Sequence, residues 1–263
     1  MASTVAPRGG ALAPALRWPY WLVPIAVVTA GALVAWWAAG TSAARPDWAS
    51  WTTLTPAARA ALGNLRQAGG MRWYVVTLFV LVLYLYSVEI EHRKWSHVFA
   101  GLAVFGMDWF NELWNGLVLH FTRTSAVWVT PGHSAFVLLP GWNIEIAFMF
   151  AISGLVFARL LHPERGTRVL GVPNRWFWAV GCSALAVFVE VLLNRAGELV
   201  WDWPFWNWPN LPLVFLFGYL HFFVVAFIVF DLRSVRRKAL VVSTLYAFDL
   251  AATLVLVVGL GWM

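Results

Sequence analysis

The chain has 263 residues, of which 61% are hydrophobic and only 11% charged, and its mean hydropathy is +0.73. An ordinary soluble domain carries about a quarter charged residues, so this composition excludes one and indicates a polytopic membrane protein. The net charge of +6 does not indicate nucleic acid, because most Lys and Arg fall in short segments between apolar runs, where they orient a chain in the bilayer.

At about 20 residues per crossing the length suits six to eight spans in one bundle. Seven apolar runs appear, near 19–39, 73–90, 98–120, 135–159, 176–196, 211–231 and 239–261, and each reads as a transmembrane helix. The expected fold is thus all-α: a single seven-helix membrane domain over residues 1–263, with a six-helix core over 73–261. The run 19–39 follows Arg8 and Arg17 and is long and Trp-rich for a signal peptide, so it reads as a retained signal-anchor or first helix. Residues 40–72 read as a loop or surface-lying element, with a short helix started by Thr55 and Pro56.

The basic segments "EHRK" (91–94), "HPERGTRVLGVPNR" (162–175) and "DLRSVRRK" (231–238) occupy alternate loops. Positive loops remain on the cytoplasmic side, which places the N-terminus inside and the C-terminus outside a multi-pass cell-membrane protein. Loop 40–72, with Arg45, Arg59, Arg66 and Arg72, then lies outside against that rule. The loop "WDWPFWNWPNLP" (201–212) is too rich in Pro for regular helix, and its Trp rings suit the outer interface, as an aromatic belt or a substrate lid.

Within the third run lies "MDWFNELWNGL" (107–117). On a helix Asp108, Asn111, Glu112 and Asn115 recur at i, i+3, i+4 and i+7, forming one polar face, and Gly101 and Gly116 would let a neighbouring helix approach that face. Further polar groups within apolar runs are Asn143, Glu145, Glu190, Asn194 and Asp249, with Glu198 just beyond the fifth. A charged side chain at the bilayer centre costs at least about 2.5–3.5 kcal/mol on insertion scales, so such acids are paired, protonated or used. Helix–helix bonding alone, worth about 0.6 kcal/mol per bond, is achieved more cheaply with Ser, Thr or Asn.

His92, His97 and His162 read as solvated loop residues, leaving His120, His133 and His221 nearer the acids. There is no paired-His helix pattern and only one cysteine, Cys182, so no metal site is expected, no intrachain disulfide is available, and no cofactor is implied. A nucleophile elbow is absent, and Ser153 reads as a small packing residue.

The pairing of "NELW" (111–114) with the late Asp249 resembles the small seven-helix integral-membrane terpene cyclases, whose pattern has an Asn and a Glu beside Trp in one helix and an Asp late in the chain. The resemblance covers a handful of residues in two helices and implies, by analogy, chemistry on an isoprenoid.

The reading that follows is a membrane-embedded enzyme acting on a lipophilic isoprenoid or lipid by carboxylate proton transfer: isomerisation, cyclisation or hydration. A carboxyl in an apolar site can keep its proton near neutral pH, as a general acid must. Glu112 is the expected acid, with Asp108 and Glu190 as catalytic partners. Asn111, Asn115, Glu145, Asn194, His221 and Asp249 would contact substrate, and Trp109 and Trp114 would face cationic character through their rings. The alternatives are a proton-coupled carrier, which lacks a visible inverted repeat, and a non-catalytic membrane subunit or assembly factor. The expected partners are the bilayer and a lipophilic small molecule, with no nucleic acid; oligomeric state is not legible.

Overall fold

The computed structural model describes residues 48–263, so the expected helix 19–39 and residues 40–47 of the following loop lie outside them. The described chain is mostly helical. Its elements are α1 (Pro56–Gly63), α2 (Trp73–Glu91), α3 (Trp95–Thr122), the hairpin β1 (Val137–Leu139) and β2 (Trp142–Asn143), α4 (Ile144–Ala158), the hairpin β3 (Arg168–Val169) and β4 (Val172–Pro173), α5 (Asn174–Ala196), α6 (Trp208–Asp231) and α7 (Val235–Gly259). Thr55 caps α1 as expected, its hydroxyl accepting from Ala58 N at 3.1 Å with Pro56 in the first turn.

Four described helices, α2, α5, α6 and α7, are long and apolar enough to cross a membrane. The 28-residue α3 extends about 42 Å and has the length but carries the polar face, whereas the 15-residue α4 extends about 22 Å, short of the roughly 30 Å hydrocarbon layer.

The expected helix over 135–159 is corrected in its first part. Residues 137–143 form a hairpin in which Leu139 pairs with Trp142, turned by Pro140-Gly141, and α4 begins only where Asn143 accepts from Ile146 N at 2.9 Å. Proline gives no N–H to a helix and Asn prefers the cap, so the apolar run breaks there despite its hydropathy.

α3 is the axis of the fold, buried along most of its length and packed against α4, α6 and α7; α2 lies against α4, and α5 against α6. The α3–α4 crossing depends on two glycines: a Cβ at Gly101 would come within 3.0 Å of Leu155 Cα, and one at Gly154 within 2.9 Å of the Gly101 carbonyl oxygen. Small residues let membrane helices approach to backbone contact, where dispersion replaces the missing hydrophobic drive. Gly116, expected to admit a helix, instead abuts the Met263 side chain.

Ionic groups tie the two ends. At one end Glu89, 1% exposed, accepts from Arg159 Nη2 at 2.7 Å and lies 2.8 Å from His97 Nδ1, joining α2, α4 and α3. His97, expected in solvent, is therefore half-buried and tied to the buried Glu89 carboxyl. Arg175 and Asp231 join α5 to α6 at the same end, 2.6 Å apart. At the other end Asp202 Oδ2 accepts from Thr55 Oγ1 and Ser125 Oγ, both at 2.6 Å, stitching the α1 segment to the loops that cover the bundle.

Candidate functional site

The polar face of α3 is turned into the protein. Asp108, Asn111, Glu112 and Asn115 are all buried, and Asn115 is fully so. Trp142 Nε1, delivered by the hairpin, donates to Asp108 Oδ2 at 2.8 Å. Trp128 Nε1, from the segment after α3, donates to Glu112 Oε1 at 2.7 Å, and Asn115 Nδ2 lies 3.4 Å from Glu112 Oε2. On α5, Glu190 Oε1 accepts from Trp201 Nε1 at 2.7 Å, and Trp206 and Tyr219 also approach its carboxyl. Each acid thus accepts from an indole of a connecting segment. An indole has one N–H and no acceptor, so it fixes one carboxyl oxygen while leaving the group free to carry or release a proton on the other.

Asp108, Glu112 and Glu190 converge on a cavity of about 230 Å³. α3 adds Asn111, and Gly218 and Tyr219 come from the π-helical stretch Val214–Leu220 of α6, a wider turn of the kind often found at functional sites. Trp128 and Trp206, with ring centres 5.6 Å apart, close the side nearest Asp202. Phe157 and Phe223, in edge contact at 5.4 Å, line the opposite end. Phe150 stacks on Tyr219 at 6.2 Å and meets Phe222 edge-on at 5.7 Å along the wall between. No Lys, Arg or His is among the described residues that line the cavity.

Trp201 and Trp206 are 5% and 4% exposed, so the expectation that the 201–208 stretch sits at an outer interface is corrected for these two rings. The stretch is irregular, as its prolines require, but the Glu190 carboxyl takes the Trp201 N–H inside and the Trp206 ring packs against Trp128 at the cavity wall.

Other expected site residues do not line the cavity. Asn115 is anchored to the backbone, accepting from Val127 N at 2.7 Å and donating to Trp128 O at 2.8 Å, which positions the Trp128 ring against Glu112. Trp109 donates to Thr253 Oγ1 at 3.0 Å and stacks on Trp142, while Trp114 is 44% exposed on the outside of α3. The rings that line the cavity are Trp128, Trp206, Phe150, Phe157, Tyr219, Phe222 and Phe223 instead. His221 Nε2 lies 3.3 Å from Asn111 Oδ1 and backs that amide. Glu145 accepts from Ser134 Oγ, Ala135 N and the Tyr74 hydroxyl, tying α2 to α4. Asn194 donates to Leu199 O at 3.0 Å and closes the end of α5. Asp249, on α7, is fully buried apart from the cavity, and neither carboxyl oxygen has a hydrogen-bond partner among the described residues. Ser153, expected only to pack, does line the cavity. Among the described residues no group of three or more His, Cys, Asp or Glu is arranged to hold a metal ion.

Apolar spans and a buried acidic cavity define a multi-pass membrane protein. Residues 55–258 match a family described as "uncharacterized membrane protein family", and the chain belongs to it. The match starts at the Thr55 cap and ends within the last turns of α7, so it contains every residue of the cavity. An "uncharacterized protein" of Archaeoglobus fulgidus is 47% identical over 206 residues, covering 78% of this chain and 97% of that protein. A second from the same organism is 39% identical over 55 residues, 21% of this chain and 98% of its own length. No solved structure matches the chain.

Proposed function

We propose that the cavity is the active site of a membrane-embedded enzyme that transfers a proton from Glu112 to a lipophilic substrate, starting an isomerisation, cyclisation or hydration. The observation that carries this reading is the convergence of Asp108, Glu112 and Glu190, each accepting from an indole N–H, on one aromatic cavity whose described lining has no basic side chain. Acids needed only as glue would satisfy one another or bind Ser, Thr and Asn across helices; these three face a shared space. In the step itself the Glu112 O–H bond breaks and a bond from that hydrogen to substrate forms. The carboxylate left behind is held by Trp128 Nε1 and Asn115 Nδ2, and the positive charge gained by the substrate faces the rings of Trp128, Trp206, Phe150 and Tyr219. Asp108, one turn away, and Glu190, across the cavity, are placed to take a proton from the product or hold a substrate hydroxyl.

What favours chemistry over passage is the pair Phe157 and Phe223, in edge contact at 5.4 Å, which lines one end of the cavity with apolar rings. Comparison of total lipid extracts from cells with and without the gene tests the reading. One lipophilic species is expected to accumulate without the gene and a product of equal mass, or heavier by one water, to disappear. Identical lipid profiles would count against an enzyme and for a carrier or subunit.

The orientation belongs to the same proposal: a seven-helix bundle with its N-terminus and basic loops in the cytoplasm, so that the acids open toward the outer leaflet. A cysteine in place of Phe205, on the covering loop, should react with a membrane-impermeant maleimide in intact cells, and one in place of Ser234 should not. The native Cys182 is buried and gives no background. Labelling at Ser234→Cys with none at Phe205→Cys would invert the topology.

A further inference from the structure

The cavity of about 230 Å³ is smaller than the roughly 300–1,000 Å³ of pockets that enclose a whole drug-sized ligand, so a lipid cannot fit in it entirely. Its walls show where the remainder would go. α4 and α5 both pack on α6 but make little contact with each other. The surfaces they turn toward this gap are Ile146, Met149 and Ser153 on α4 and Leu185, Ala186 and Val189 on α5, and all six also line the cavity. Met149 is 39% exposed and Leu185 48% exposed, so the apolar lining continues from the acids to the lipid-facing side of the bundle. At mid-height the two walls carry small residues, Ser153 and Ala186.

The acids fix the chemistry of the end that reaches inside. A phosphate or carboxylate placed among Asp108, Glu112 and Glu190 would lose its water and gain no cation, since no described lining residue is Lys, Arg or His. Burial of an unpaired anion is far more costly than any contact the cavity offers.

We propose that the ligand of this site is a single-chain lipid with an uncharged, proton-accepting end, an alkene, alcohol, ketone or epoxide, and that it enters from the bilayer through the gap between α4 and α5. Its reactive end lies against the three acids and its hydrocarbon chain remains between Ser153 and Ala186. This rests on the cavity being the substrate site, yet it concerns binding and does not require that Glu112 catalyse anything.

The test uses the full-length protein in lipid vesicles and a straight-chain primary alcohol carrying a diazirine beside its hydroxyl. Light converts part of the diazirine to a diazo compound; a carboxylic acid protonates the diazo carbon, nitrogen leaves, and the carboxylate oxygen bonds that carbon to give an ester. Mass spectrometry should find the ester on Glu112, Asp108 or Glu190 in the wild type. Ser153→Trp and Ala186→Trp, each checked for monodisperse behaviour, should lower that labelling at least about ten-fold, the equivalent of about 1.4 kcal/mol in binding. Phe188→Trp, on the lipid-facing side of α5, should leave it unchanged. The phosphate monoester of the same alcohol should label none of the three acids. Absence of acid labelling by the alcohol, equal labelling in both tryptophan-blocked variants, or equal labelling by the phosphate ester would each overturn the proposal. A Glu112→Gln protein that keeps its activity would overturn the proton-transfer reading alone and leave these results standing.

Discussion

Gly154→Val is expected to prevent accumulation of the folded protein. A Cβ at this position would fall 2.7 Å from Val104 Cβ and 2.9 Å from the Gly101 carbonyl oxygen. One of those obstacles is backbone and cannot rotate away, and α3, on which it sits, is held on its other sides by α6 and α7. Overpacking of this kind costs about 1–3 kcal/mol or more, a large share of the roughly 5–15 kcal/mol that folded proteins have. In a bilayer the loss is aggravated, because close van der Waals packing is much of what holds helices together. α4 also carries one wall of the cavity, so any protein that does fold should be impaired there. Gly166→Val is the control, since nothing lies within 4 Å of a Cβ at that turn. Yields in detergent, compared by fluorescence-detected gel filtration, check the prediction; wild-type yield for Gly154→Val would mean that α3 and α4 are not in backbone contact.

Glu112→Gln is expected to leave the fold intact and reduce activity by about 10²–10⁴-fold, the usual contribution of a positioned acid. The amide oxygen of Gln keeps the acceptor for Trp128 Nε1, now at 2.7 Å, so the cavity wall stays in place. The contact to Asn115 Nδ2 is lost, but at 3.4 Å it is long, and Asn115 remains anchored to the 127–128 backbone. The expected stability loss is therefore on the order of 1 kcal/mol. What disappears is the transferable proton. Asp108→Asn and Glu190→Gln keep their indole contacts in the same way and should reduce activity less, because their roles are to accept or to orient. Glu198→Gln, at an exposed position, should behave as wild type.

The helical core was legible because hydrophobic runs and basic loops alternate: the segments expected at 73–90, 176–196 and 211–231 differ from α2, α5 and α6 by three residues at most at either end. The hairpin before α4 was not, because 135–142 is as apolar as a span and hydropathy cannot separate a buried strand from a helix; the Pro140-Gly141 pair was the available signal. The polar face of α3 was legible from its spacing alone. Its partners were not. Trp142 reaches Asp108 across 34 residues and Trp128 reaches Glu112 across 16, and sequence carries no local trace of such pairings. A general preference of Trp for membrane interfaces further obscured them, although Trp beside an intramembrane acid also has an N–H seeking an acceptor. Glu89 escaped notice for a related reason, since its neighbours Glu91, His92, Arg93 and Lys94 read as an ordinary solvated loop while its carboxyl turns inward to Arg159.

The most direct test of the central claim is rescue of a gene-deleted strain by wild type and by Glu112→Gln, expressed to equal levels in the membrane, with the lipid pair identified from the extracts as readout. Wild type should restore the product, and Glu112→Gln should leave the precursor accumulated while running as a monodisperse protein. Restoration of the product by Glu112→Gln to the wild-type level would contradict proton transfer at this residue and leave the α3 stripe as interhelical glue.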